Sequence, residues 1–391
     1  MDDTRKLTKA ERQFKIVYAA IILLFSIEFI GEGWVSVYRI LIFPLLLVGC
    51  VIGARLPKRS SYGGLTLLTS FYLVYMALAL VINDGNFMFP LFTIPLAIVV
   101  YSFCTLKNPI PFDYSKVIVW YSFPQILSFI GGFAKYAGGR FCGLHYDPNF
   151  CGIFLSLSAI AGLVLVFRKE TSFWHRLLYL ALLLFSLVLM FLSGSRGAML
   201  SFGAVLFYFF LIIKIHYYWK IIVLGAALVA VKYLFDYIDE LPEYVDFNTS
   251  MIDYVLTRFK PDSLADGSHR TYLWKKIIEK LYDHGSLLIP LGRENALAGL
   301  PNDYSHNTYL DFLVEIGVLP GIMFVLCIVY SILKTSYNFN KFSEYDRDYL
   351  ICGLALLLQL FFLSAMSQKI IWVPIFYIFS LRSFKKTNYY A

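Results

Sequence analysis

Long apolar runs alternate with short polar or charged connections along most of the chain. A helix needs about 20 apolar residues to cross the hydrocarbon core of a bilayer, and several runs approach that length. The pattern therefore predicts an all-α, polytopic membrane protein with about 12 transmembrane helices. The predicted spans are 16–30, 37–54, 65–82, 87–104, 117–132, 150–167, 177–192, 198–213, 221–235, 309–333, 349–366 and 370–383.

Basic residues concentrate in every second connection, and this bias predicts the orientation of the chain. By the positive-inside rule these connections face the cytoplasm, so both termini are predicted to be cytoplasmic. The basic connections contain Arg55, Lys58 and Arg59; Lys107 and Lys116; Arg168, Lys169 and Arg176; Lys214 and Lys220; Lys334, Lys341 and Arg347; and Arg382, Lys385 and Lys386. The same bias accounts for the net charge of +8 without a nucleic-acid partner.

Composition supports a single membrane domain over residues 1–391. Hydrophobic residues make up 59% of the chain and charged residues only 15%, too little charge to cover a water-soluble protein of 391 residues. No small-residue cleavage site follows the first apolar run, so we interpret it as a retained span and not as a signal peptide. The six cysteines show no metal-binding spacing, and a disulfide between Cys142 and Cys151 is left open.

Residues 236–305 form the one connection long enough to hold chemistry outside the membrane, and orientation predicts it on the outer face. Within this large outer loop, an amphipathic helix is predicted to begin near Arg270. Its apolar face contains Leu273, Trp274, Ile277, Ile278 and Leu281. We expect this helix to lie on the membrane surface or to cover a cavity.

Five arginines lie on the predicted outer face, where the positive-inside rule disfavours them: Arg140, Arg196, Arg258, Arg270 and Arg293. Arg196 directly precedes a predicted span, and Arg270 opens the amphipathic helix. A helix amino terminus favours anions, and a guanidinium group binds two phosphate oxygens at once. Arg196 and Arg270 are therefore predicted to bind an anion such as a diphosphate. The alternative is that each arginine is an interfacial anchor reaching toward lipid headgroups.

Helix-start signals also follow Arg140. Asp147 is predicted to cap the next span, and Pro148 fits its first turn. This brings Asn149 to the outer end of that helix.

A second group of polar residues lies where the outer loop re-enters the membrane. Ser305 is predicted to cap the re-entering helix, with His306 at the outer boundary, where an imidazole can act as a general base near neutral pH. Asn307, Asp311 and Glu315 recur every fourth residue and predict one polar stripe. A structural histidine is the alternative for His306, and pairing with a basic group on another helix is the alternative for Glu315.

These motifs together resemble the bacterial O-antigen ligase and O-antigen or capsule polymerase superfamily, the Wzy- and WaaL-like membrane glycosyltransferases. The matching elements, in chain order, are Arg140 to Gly143 with Asp147-Pro148-Asn149, the Ser195-Arg196-Gly197 element, Gly267-Ser268-His269-Arg270 with Trp274, and His306-Asn307 with Glu315-Ile316-Gly317. The resemblance covers the chain from about Arg140 to the span after Gly317. At Leu291-Gly292-Arg293 the chain departs from the family's second glycine, so Arg293 is either a local substitution or a further phosphate contact.

The resemblance implies a GT-C-like helical fold and transfer of a glycan from undecaprenyl diphosphate at the outer face of the bacterial inner membrane. It implies no metal and no cofactor. Carried onto this chain, it makes Arg196, Arg270 and His306 catalytic, with the two arginines on the diphosphate and His306 assisting the acceptor hydroxyl. Predicted substrate-binding residues are Arg140, Asn149, Ser195, Arg293, Asn307, Asp311 and Glu315. The expected partners are the lipid-linked oligosaccharide, membrane lipids, and the chain-length regulator and flippase of the same pathway.

The molecule that accepts the glycan determines which kind of glycosyltransferase the resemblance implies. Another lipid-linked repeat unit makes it a polymerase, which we favour because no extra domain for a protein acceptor is visible. Lipid A core makes it a ligase, and a protein hydroxyl makes it an O-oligosaccharyltransferase. A lipid-linked oligosaccharide flippase or other transporter is the alternative from a different class, although transporters tend to show internal repeats that we do not see here.

Overall fold

A computed structural model of the chain describes residues 6–27, 37–58, 88–108, 110–212, 255, 257, 270–300, 305–338, 342–364 and 369–383. The predicted spans 65–82 and 221–235 lie outside the described residues, as do Arg258 and most of the amino-terminal half of the large outer loop. Inner and outer refer below to the two sides of the membrane as the sequence predicts them.

The described residues are mostly helical, with one two-stranded hairpin. The helices are α1 Lys9–Leu24, α2 Val37–Arg55, α3 Met88–Cys104, α4 Tyr114–Ile118, α5 Ser122–Ile130, α6 Pro148–Phe167, α7 Phe173–Leu192, α8 Arg196–Ile212, α9 Arg270–Asp283, α10 Arg293–Leu297, α11 Thr308–Ile316, α12 Val318–Tyr337, α13 Glu344–Leu360 and α14 Lys369–Ser383. The strands are β1 Lys135–Ala137 and β2 Arg140–Gly143, which pair antiparallel.

Three of these helices are long and apolar enough to cross a membrane: α6, α7 and α12. Shorter apolar helices lie at Ile40–Arg55, Ile94–Cys104 and Arg196–Phe210. These helices support an integral membrane protein, whereas the count of 12 spans and the GT-C-like arrangement stay predictions. Most described spans begin within a few residues of their predicted starts, but α1 begins at Lys9. The reason is a capping box in which Thr8 and Glu11 bond each other's backbone N–H groups.

The predicted span 117–132 is not one regular helix. It consists of α4, a 3₁₀ turn at Val119–Tyr121 and α5. The Ser158 hydroxyl on α6 donates to the Val119 carbonyl oxygen at 2.6 Å and lies 2.9 Å from the Ser122 hydroxyl. Such interhelical hydroxyl contacts satisfy backbone groups where no water is available.

Gln359 joins three helices in the interior of the bundle. Its side-chain amide, on α13, donates to the hydroxyls of Ser156 on α6 (2.8 Å) and Ser201 on α8 (2.7 Å). All three side chains are buried. In lipid there is no hydrophobic driving force for helices to associate. These polar contacts therefore help to hold α13 against α6 and α8.

A buried ion cluster holds the inner ends of three helices. Arg168, which follows α6, donates to Asp113 before α4 (2.6 Å) and to Asp348 in the second turn of α13 (2.7 Å). Asp348 also accepts from the Ser115 backbone N–H. Arg168 therefore compensates the buried Asp348 carboxylate and shares Asp113 with the exposed Lys116, which lies 3.1 Å from it. Loss of Arg168 would leave Asp348 buried without compensation.

The predicted span 309–333 is two helices, and this corrects the sequence prediction. The break is at Gly317, whose φ is +92°. Glycine adopts this backbone conformation readily, whereas it is strained for other residues. The helix α11 packs against the outer-loop helices through Leu310 and Val314, which share a small apolar core with Leu273, Ile277, Leu281, Leu291 and Ala296. The spanning helix α12 begins only after the break. The hydrophobic pattern continues across Gly317, so it could not reveal the change of direction.

The ion cluster generates a prediction about stability. Arg168→Met leaves the buried Asp348 without its cation and Asp113 with only the exposed Lys116, and it should lower the free energy of unfolding by about 3–5 kcal/mol. Thermal unfolding in detergent measures the effect. Lys169→Met, which removes the adjacent exposed cation, is the matched control and should change little. Equal melting temperatures for the two variants would contradict a stabilising role for the cluster.

Candidate active site at the outer helix ends

Arg140 opens the second strand of the hairpin and is almost fully buried. Its Nε donates to the Ser193 carbonyl oxygen (2.8 Å), and its Nη2 donates to the side-chain oxygen of Asn149 (3.0 Å) and lies 3.4 Å from the Gly194 carbonyl oxygen. The guanidinium group therefore braces the turn that follows α7 against the start of α6. Its predicted role in substrate binding is not tested by these contacts and stays a prediction.

The start of α6 follows the sequence prediction. Asp147 is the N-cap, its side chain accepts from the Asn149 backbone N–H at 2.6 Å, and Pro148 occupies the first turn. Cys142 and Cys151, on either side of this start, are free thiols, so the disulfide considered from their spacing is absent.

His145, which the sequence did not single out, supports the same loop. Its ring is fully buried, stacks on Phe154 (centroids 4.7 Å apart) and lies 3.1 Å from the Gln125 side-chain nitrogen. Burial lowers the pKa of His145 to about 3, so the imidazole is neutral and acts as a packing group. The Gln125 side-chain oxygen accepts from the Leu144 N–H, which ties the loop to α5.

The Ser193–Ser195 turn presents Arg196 as the first residue of α8. Ser195 is buried and faces Gly152, where an added Cβ would lie 2.7 Å from the serine hydroxyl. Gly197, next to Arg196, approaches Phe362 so closely that a Cβ there would lie 2.9 Å from the Phe362 Cβ. The start of α8 is thus held between α6 and the end of α13.

Arg270 is the first residue of α9, as the sequence predicts. Its Nη1 donates to the Phe362 carbonyl oxygen at 2.9 Å. One turn later, the Trp274 indole N–H donates to the Ser305 carbonyl oxygen at 2.8 Å, and the ring meets Phe361 edge to face. The apolar face differs from the prediction at one position, since Ile278 is exposed whereas Leu273, Ile277 and Leu281 are buried.

His306 lies between the outer loop and α11, and its backbone is unusual. It is the one described non-glycine residue with a positive φ, at 55°. Such a conformation costs free energy and persists only where neighbours enforce it, which is common at functional sites. The Trp274 contact to Ser305 holds the preceding residue, and Thr308 donates to the Leu363 carbonyl oxygen on the other side.

Asn307, and not Ser305, caps α11. Its side-chain oxygen accepts from the backbone N–H groups of Tyr309 and Leu310. The Ser305 hydroxyl instead donates to Asp311 and lies 3.0 Å from the Ser364 hydroxyl. Both Ser305 and Asn307 are cap-forming residue types, so the sequence did not distinguish them. The predicted polar stripe is therefore not one continuous face of α11. Asn307 lies before the helix, and Asp311 accepts a hydrogen bond from Ser305.

The remaining predicted residues occupy neighbouring positions. Arg293 opens the short helix α10, and its positive charge acts on the Asp311 carboxylate. Glu315 is buried in the last turn of α11.

Segment 361–364, which follows α13, is the part of the site that the sequence did not predict. It contacts the start of α8 through Phe362, accepts from Arg270 and Thr308 through its carbonyl oxygens, and meets Ser305 through Ser364. The sequence predicts these residues inside the span 349–366, where the available signals were two polar side chains, Gln359 and Ser364. This segment brings the starts of α8 and α9 and the residues flanking His306 together.

The local charges favour a neutral imidazole at His306. Burial is the main cause that lowers the pKa of His306, the positive charge of Arg270 lowers it further, and the Asp147 carboxylate acts in the opposite sense. A neutral imidazole can accept a proton, and cations at two helix starts can stabilise a developing negative charge. Within the described part of the chain, no three His, Cys, Asp or Glu side chains are grouped to hold a metal ion. Independence from metals stays a prediction.

One family of known proteins is similar to the region that contains these residues. No curated protein matches the chain. The model of the O-antigen ligase family, Wzy_C, matches residues 180–326, a stretch that includes Arg196, Arg270 and His306 but neither Arg140 nor segment 361–364. Residues 180–326 are therefore similar to the O-antigen ligase family, and this match supports the resemblance of the chain to the O-antigen ligase and polymerase superfamily.

Proposed function

We propose that the chain is a membrane glycosyltransferase that polymerises a polysaccharide. It transfers a glycan from undecaprenyl diphosphate to a hydroxyl of another lipid-linked repeat unit, at the outer face of the bacterial inner membrane. The observation that carries the proposal is the attachment of the Arg196 and Arg270 helix starts, and of the residues flanking His306, to segment 361–364. The O-antigen ligase match supports this class of enzyme, since it covers all three residues.

The donor's diphosphate is held by Arg196 and Arg270. Each is the first residue of its helix, so the partial positive charge of the helix start adds to that of the guanidinium group. The arginine guanidinium group carries five N–H donors. Arg270 can therefore donate to the Phe362 carbonyl oxygen and also bind phosphate oxygens in a bidentate manner.

The reaction is a single displacement at the anomeric carbon. The acceptor oxygen attacks from the face opposite the diphosphate, a new glycosidic C–O bond forms, and the bond to the diphosphate breaks. The proton of the acceptor hydroxyl passes to neutral His306, and the lipid diphosphate leaves with the bonding electron pair. Configuration is inverted, and the two arginines stabilise the charge that grows on the leaving group.

The other predicted residues have supporting roles in this proposal. Arg140 and Asn149 brace the turn before Arg196, and Asp311 holds Ser305 beside His306. Arg293, whose positive charge acts on the Asp311 carboxylate, is kept as a further phosphate contact.

A ligase is the second candidate. The family whose model matches residues 180–326 is described as O-antigen ligase. For a ligase, the acceptor would be lipid A core and not a second repeat unit. Donor binding and chemistry would be the same, and only the acceptor would differ.

The proposal predicts the effect of removing each catalytic side chain. Arg196→Ala and Arg270→Ala should each lower the rate of glycan transfer about 10²–10³-fold, since each removes fixed charge from the leaving group. His306→Ala should lower it about 10²–10⁴-fold by removing the base. Transfer from a purified lipid-diphosphate repeat unit measures these rates.

Lys275→Ala is the matched control for Arg270, because it removes an exposed cation from the same helix. This variant should transfer glycan at the wild-type rate. Normal glycan extension in all three catalytic variants, with the protein inserted, would reject the proposed site.

The pKa of His306 leads to a prediction about pH. As the pH falls below the lowered pKa of His306, the imidazole gains a proton and the transfer rate should fall. Asp147→Asn retains a capping oxygen but removes the charge that favours imidazolium, so the acidic limb of the pH–rate profile should move to lower pH. A limb that does not move would assign the titration to another group, such as Asp311.

The identity of the acceptor is tested with one purified substrate. Supplied with the lipid-diphosphate repeat unit alone, a polymerase should produce a ladder of glycans on gel electrophoresis. A single transfer that requires added lipid A core would establish the ligase instead. Formation of no glycosidic bond with either acceptor would favour the transporter.

A further inference from the structure

The turn between α9 and α10 has an unusually apolar and exposed surface. Residues 285–292 contain no charged side chain. Within this turn, Leu287, Leu288 and Ile289 are each more than 60% exposed. Three consecutive exposed aliphatic side chains are unfavourable in water and are typical of a surface that contacts something apolar.

The turn lies directly on the outer end of the spanning helix α12. The Val318 and Leu319 backbone N–H groups donate to the carbonyl oxygens of Ser286 and Leu287, both at 2.9 Å. At Gly317, which precedes α12, an added Cβ would lie only 2.8 Å from the Leu288 carbonyl oxygen, so the two backbones are in close contact. The turn and the helix end are therefore one packed unit.

These contacts satisfy the first turn of α12 without water. A helix start normally leaves four N–H groups without intrahelical partners. Of the first three helical residues, Val318 and Leu319 are bonded by the turn and Pro320 has no N–H, and Gly321 makes the first regular helical bond to the Gly317 carbonyl oxygen. Internal satisfaction of this kind is what an apolar medium demands of a backbone.

The exposed surface of the turn continues along α12. Leu319, Ile322 and Met323 are exposed on the first two turns of that helix, and α12 is long and apolar enough to cross the membrane. The aliphatic side chains of the turn thus extend the surface that α12 presents to lipid.

We infer that the turn at Leu287–Ile289 is a membrane anchor that inserts into the outer leaflet and contacts lipid acyl chains. It fixes the carboxyl-terminal end of α9, the helix that begins with Arg270, at the depth of the lipid headgroups. This inference depends on the membrane orientation of α12 and not on the proposed reaction, so each can fail without the other.

Site-directed fluorescence tests the anchor in the full-length protein. Leu288→Cys, in a Cys327→Ala background, is labelled with the fluorophore NBD and reconstituted into phosphatidylethanolamine and phosphatidylglycerol vesicles. Brominated lipid should quench the label strongly, and aqueous iodide should quench it little. Met323→Cys on α12 is the bilayer control, and exposed Glu294→Cys on α10 is the aqueous control.

The label at position 288 should behave like the label at 323 and unlike the one at 294. Iodide quenching equal to that at 294 would place the turn in water and overturn the inference. Protection from both quenchers would mean that protein covers the turn, and this too would overturn it. If Leu288→Cys does not fold, Ile289→Cys provides the same comparison.

Discussion

The backbone carbonyl groups that follow α13 need hydrogen-bond donors, and the site depends on which donors they bond. They lie beyond the helix and have no intrahelical partners, and near a bilayer they cannot rely on water. After α13, the Phe362 oxygen accepts from Arg270, and the Leu363 oxygen accepts from Thr308. The partial negative charge of a helix end also favours a cation such as arginine. The hydrogen bonds that satisfy these carbonyl groups thus attach the outer loop to the helix bundle.

The end of α7 uses the same solution. Arg140 donates to the Ser193 carbonyl oxygen in the turn before Arg196 and is itself bonded to Asn149 at the start of α6. Inside the membrane, Gln359 fixes α13 against α6 and α8, so the outer ends of these helices keep their separation. The strained backbone of His306 lies between contacts of this kind on both sides. Rigid helix ends with cations are suited to stabilise charge that appears only during a reaction.

Local signals were enough to predict many elements, because helix caps and apolar runs are encoded within a few residues. The Asp147 cap, the start of α9 at Arg270 and the long helices α6 and α7 follow from such signals. Prediction failed where distant contacts decide the structure. Segment 361–364 gained its role from partners more than 50 residues away in sequence, and the cap of α11 moved to Asn307 because Ser305 bonds Asp311. The break at Gly317 depends on packing of the outer-loop turn, which hydropathy does not record.

The central claim is that Arg196, Arg270 and His306 act on one substrate at one site. Its most direct test is an experimental structure of the protein in lipid nanodiscs with a bound undecaprenyl diphosphate glycan. The account predicts that the diphosphate contacts both guanidinium groups and that the His306 imidazole lies on the sugar side, facing the anomeric carbon. A diphosphate bound elsewhere on the outer face, or held by neither arginine, would contradict it.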